Sequence, residues 1–131
     1  MSEKKIEKVD ADHIADLCIK VIDAGKGEDI IKIRVTELSV VADYFVLCTA
    51  NSDPHLRSIS ERLKREVSKA LGRKPKQDGV ASSSWIVMDY GVVVVHILSP
   101  EMRERYQLES LWGDNPEIEA LEKVSASAPM E

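Results

Sequence analysis

Residues Trp85 to Trp112 read WIVMDYGVVVVHILSPEMRERYQLESLW, and this stretch decides the fold. Trp85 to Asp89 predicts a strand, Tyr90-Gly91 a tight turn, and Val92 to Leu98 a returning strand. A turn that short cannot house a crossover, so the two strands must run antiparallel. Pro100 then opens a short helix that leads to an aromatic-tipped segment holding the second of the two tryptophans. Alternation along the first strand sends Trp85, Val87 and Asp89 to one face and Ile86 and Met88 to the other. In the second strand His96 shares a face with Val92, Val94 and Leu98.

Moving back from the hairpin, Gln77 to Ser84 reads as a polar connector, and Asn51-Ser52-Asp53-Pro54 as a helix start. That helix is expected to reach Leu71, with Leu56, Ile59, Leu63, Val67 and Leu71 facing a core and Gly72 closing it. Tyr44 to Thr49, apolar at nearly every position, predicts a central strand covered on both faces. Ile30 to Val35 predicts a strand with a wetter face at Lys32 and Arg34. Asp10 offers an N-cap for a first helix that Gly25 and Gly27 stop, after a polar, frayed lead of residues 1–9. Beyond the hairpin, Asn115-Pro116 breaks the chain, residues 118–124 could form a weak amphipathic turn or two, and 115–131 reads as an acidic tail. The resulting order argues for a single domain over 10–114, an α/β fold with one mixed sheet and helices packed on it, the long helix connecting parallel neighbours.

At 131 residues, with 44% hydrophobic and 31% charged residues, the chain has the composition of a soluble globular domain. No apolar run approaches a membrane span, and MSEKKIEKVD lacks the apolar region of a secretory signal, so a cytoplasmic location is expected. Cys18 and Cys48 lack metal-ligand spacing and read as small buried hydrophobes.

Candidate chemistry is sparse. No phosphate-binding glycine loop, zinc motif or nucleophile elbow occurs. Asp43 and Asp89 are the acids on or beside strands, each alone in its segment, and both read as turn residues. His13 and His55 lie in first helical turns and read as surface residues. His96, inside VVVVHIL, is either a buried ring bonded to nearby backbone, Asp89 or Tyr90, or part of a contact surface. Arg57, Arg62, Lys64, Arg65, Lys69, Arg73, Lys74 and Lys76 could track phosphates. With no interleaved aromatic residue and a pI of 5.3, they read more simply as a solvated face.

Several landmarks in one order, ADYFVLCTANSDPHLRSI from Ala42 to Ile59 and then the blocks from Ser84 to Asp114, resemble the bacterial ribosomal silencing factors, the Iojap-like family. The resemblance departs at two turns: Val92 stands where the family usually has aspartate, and Pro54 where it more often has arginine or another polar residue. It implies a fold similar to a minimal nucleotidyltransferase domain, which raises an enzyme alternative with Asp43 and Asp89 as the carboxylates. It also implies a translation repressor without catalysis, cofactor or metal. Such a factor binds the large ribosomal subunit through large-subunit ribosomal protein fourteen and blocks subunit joining when nutrients are scarce; whether the basic helix adds a minor ribosomal RNA contact is left open by the sequence. The resemblance puts the contact surface on the hairpin and the segment after it. Aromatic residues anchor interfaces, so the expected partner-binding residues are Trp85, Met88, Tyr90, His96, Tyr106, Leu108, Leu111 and Trp112.

Overall fold

The computed structural model describes residues 2–35, 42–106 and 118–119. Helix α1 spans Ser2–Ala24, strand β1 Glu28–Arg34, β2 Tyr44–Thr49, helix α2 Asp53–Leu71 and β3 Lys76–Asp78. After a 3-10 turn at Ala81–Ser83 come β4 Trp85–Asp89, β5 Val93–Leu98, α3 Pro100–Tyr106 and β6 Ile118–Glu119. One mixed sheet results, in the order β3-β4-β5-β2-β1-β6.

The hairpin forms as its residues predict, Trp85 pairing with Leu98 and Asp89 with Val94. Asp89 is the turn residue expected: its carboxylate accepts from the Gly91 amide at 2.7 Å. The strand that lies parallel beside β2, however, is β5, with Tyr44 opposite Val93 and Thr49 opposite Leu98. The crossover through α2 therefore does not bring neighbours together. It carries the chain to β3 at the far edge, and β4 and β5 fold back toward the centre.

Both long helices cover one face. Ile14, Cys18 and Ile22 of α1 and Leu56, Ile59, Leu63 and Val67 of α2 pack with Val46, Cys48, Ile86, Met88, Val93, Val95 and Ile97 from the sheet. The ends of α2 follow their sequence signals. Ser52 accepts from the His55 amide at 3.2 Å, Pro54 lies in the first turn, and Gly72 closes the helix with φ 74°, a left-handed conformation open to glycine. Gly27 matters for space: a Cβ there would fall 2.3 Å from Ile22 Cγ2. Burial raises both cysteine thiols to about 12, as befits small apolar residues.

Four expectations need correction. α1 begins at Ser2, so Asp10 lies inside the helix; the Glu- and Lys-rich start has the propensity to extend it. Lys76–Asp78, read as connector, is an edge strand bonded to β4. Ile118–Glu119, read as helical turn, pairs with Lys32 and Ile33 of β1. Lys32 does not face water: it is 7% exposed beneath α1, with its ammonium 2.7 Å from Asp12 and 3.2 Å from Asp16. Burial disfavours the charge there, yet the two carboxylates hold the Lys32 pKa above its ordinary value.

Candidate functional site: an aromatic patch on the open sheet face

The sheet face turned away from α1 and α2 carries a smaller apolar cluster, Ile33, Val35, Ala42 and Leu47, with Ile31, Phe45 and Val94 against it. Beside that cluster four rings meet. Phe45 and His96 have centroids 5.0 Å apart, Trp85 and His96 6.1 Å, and Trp85 and Tyr106 5.2 Å, all tilted. Strand register explains the first pairings. Alternation puts Trp85 of β4, His96 of β5 and Phe45 of β2 on one face, and the β4–β5 and β2–β5 ladders bring them side by side.

His96 is the centre of this patch. The Trp85 indole N–H donates to its Nδ1 at 3.2 Å, which leaves the imidazole proton on Nε2. Nε2 is buried and has no hydrogen-bond partner among the described residues. Burial lowers the His96 pKa from 6.5 to about 4, so the ring is neutral at ordinary pH. Its partner is thus Trp85, and neither Asp89 nor Tyr90.

Tyr106, the last residue of α3, is 50% exposed and forms the outer rim. Its position depends on Arg103, buried at 8% exposure, whose guanidinium donates to Thr49 Oγ1 and to the Asp29 carbonyl, both at 2.8 Å. A β-bulge in β1, with Asp29 at φ 49°, accompanies the second contact.

Of the eight residues expected at the interface, Trp85, His96 and Tyr106 come together here. Met88 and Tyr90 do not: both point to the helix-covered face, Met88 fully buried and Tyr90 donating from its hydroxyl to the Leu63 carbonyl at 3.0 Å. Period-two alternation puts residues 86, 88 and 90 on the face opposite Trp85, which makes these two core. Leu108, Leu111 and Trp112 lie outside the described residues. Phe45 and Arg103 were missed, because a pairing between β2 and β5 and a reach from α3 to β2 are tertiary facts.

The basic residues divide as well. The stem of Arg62 lies against Gly25, and Arg73 donates to the Tyr90 carbonyl at 3.1 Å. His55 is half-buried, bridging the Asn51 amide and the Gly25 carbonyl, whereas His13 is exposed. No group of three or more metal-ligating side chains converges among the described residues. Within the same residues, no helix is long and apolar enough to cross a membrane.

Sheet, helices and patch define a small mixed α/β domain that presents rings on one face. The family model described as "Ribosomal silencing factor during starvation" matches residues 8–131, and the chain belongs to that family, a family of translation regulators. The match extends through the residues after Asp114. Ribosomal silencing factors from Bacillus subtilis (strain 168) and Halalkalibacterium halodurans are 34% and 33% identical to it, over 88% and 82% of this chain and 92% of each relative. A crystal structure of a Chromobacterium violaceum protein superposes with a TM-score of 0.73 at 28% identity, covering 78% of this chain and 85% of that one.

Proposed function

We propose that the protein binds the large ribosomal subunit through large-subunit ribosomal protein fourteen and blocks subunit joining by occupying the space, repressing translation in the cytoplasm under nutrient limitation. The observation that carries this reading is the cluster of Trp85, His96, Phe45 and Tyr106, rings gathered on a sheet face that neither long helix covers. Half-buried aromatic residues held rigidly by neighbours are favoured anchors of protein interfaces. Family membership supports the ribosome as the partner. The site calls for no bond-making step: Trp85, His96 and Tyr106 offer shape, apolar area and one buried N–H donor. A blocking mechanism of this kind works mole for mole and without nucleotide.

Sedimentation of the full chain with separated subunits tests the reading. Association with large and not small subunits is the expected result, lost in Trp85→Glu while circular dichroism stays that of the folded chain. A folded Trp85→Glu variant that sediments normally would place the interface elsewhere.

A further inference from the structure

On the helical side of the sheet, away from the aromatic patch, α2 and the chain entering β3 enclose a groove. Its lining includes Lys64, Arg65 and Ser68 of α2, Lys74 of the following loop and Gln77 of β3. Three cations around one groove stand out in a chain of net charge −5. Glu61 also lines the groove, 3.9 Å from Lys64, and Arg65 lies 3.7 Å from Glu66. Both pairs are solvent-exposed, and exposed pairs of this length are weak enough to yield to a stronger anion. Ser68 also lines the groove, and its buried hydroxyl has no hydrogen-bond partner among the described residues.

The lining narrows the class of ligand. No aromatic side chain is among the groove residues, so nothing there stacks a nucleobase. The residues around it form an open helix-to-edge groove and not a glycine-rich loop that would cradle a triphosphate. Lysine, arginine and a hydroxyl are the side chains that contact a phosphodiester chain without reading its sequence.

We propose that this groove binds the phosphate backbone of RNA, through Lys64, Arg65 and Lys74 with Ser68 as a neutral donor. Five of the eight basic residues legible in the sequence are thereby sorted: Arg62 and Arg73 serve the fold, and Lys64, Arg65 and Lys74 form the RNA contact. The inference does not depend on the docking of the aromatic patch, since the two surfaces lie on opposite sides of the sheet.

The test uses the full chain and a fluorescently labelled RNA hairpin, with anisotropy followed across a series of KCl concentrations. A triple variant, Lys64→Gln, Arg65→Gln and Lys74→Gln, is expected to lose about tenfold or more in affinity and about two units of salt slope. A control pair off the groove, Arg57→Gln with Lys69→Gln, is expected to lose about twofold or less by the same electrostatic reasoning. Thermal melts establish that both variants are folded, and Lys74→Glu alone, in the loop after α2, provides a second variant if the triple melts early. Equal losses in the triple and the control, or no binding by the unaltered chain, would overturn the proposal. So would displacement of the hairpin by inorganic phosphate or a nucleoside triphosphate at stoichiometric concentration, which would assign the groove to a small anion. Trp85→Glu should bind the hairpin normally, so failure of the patch reading and failure of this one are told apart.

Discussion

The indole nitrogen of Trp85 and Nδ1 of His96 lie 3.2 Å apart across adjacent antiparallel strands, and the bond between them fixes both the tautomer of one ring and the rotamer of the other. The patch is thus set before any partner arrives, which lowers the ordering cost of docking.

The Trp85–His96 bond is expected to show as coupling. Trp85→Phe keeps a ring against Tyr106 but removes the donor, and His96→Phe removes the acceptor. Each should cost about 1 kcal/mol of stability from the hydrogen bond. The double variant should cost less than the sum of the two, as a double-mutant cycle by urea unfolding would measure. Additive losses would show that the bond contributes nothing.

Acid should weaken the fold through the same ring. In the unfolded chain His96 takes up a proton near 6.5, whereas in the fold it does so only near about 4. Between those values the unfolded state binds more protons, so this contribution is whole above pH 6.5 and is lost as pH falls toward about 4. The full loss is on the order of 3 kcal/mol. Urea unfolding across that pH range, compared with His96→Gln, isolates it; an unchanged slope in the variant would refute the assignment.

Arg103 positions the rim of the patch. Replacing it with methionine keeps the stem but strips two hydrogen bonds from Thr49 Oγ1 and the Asp29 carbonyl, at an expected cost of about 2–4 kcal/mol. A lysine ammonium at this position could reach one acceptor but not both in a fork, so Arg103→Lys should recover part of the loss. Near-ultraviolet circular dichroism should change with Arg103→Met, because Tyr106 loses its hold against Trp85.

Tyr90 provides the opposite control. Tyr90→Phe leaves the Leu63 carbonyl without its hydroxyl donor and should lower stability by about 1–2 kcal/mol. Affinity for large subunits should be unchanged at temperatures where the variant is folded. A specific loss of binding would return Tyr90 to the interface.

Elements with a periodic apolar signal were legible in the sequence: α2, β2 and the hairpin stand where Leu56, Ile59 and Leu63, YFVLCT and WIVMD place them. Lys76-Gln77-Asp78 has no such signal, being exposed at all three positions, and is a strand because β4 offers it a ladder. The burial of Lys32 was hidden in a different way. Asp12 and Asp16, four residues apart on α1, supply its counter-charges, but their meeting requires knowing which face of β1 the helix covers. Of the patch, alternation alone set Trp85 and His96 on strand faces; their union with Phe45 needed the parallel β2–β5 register.

That register also governs when the chain can fold. Tyr44 pairs with Val93 and Thr49 with Leu98, so the two central strands are separated in sequence by a helix and two further strands. Closing so long a loop is slow compared with forming a hairpin, and it cannot begin until β5 has been synthesised. During its own translation the nascent chain therefore emerges with α1 and β2 lacking their central partner; the centre of the sheet can close only after Leu98 has been made, and the patch only after Tyr106. A factor of this design acquires its ring-bearing surface only after every central strand and α3 have been made.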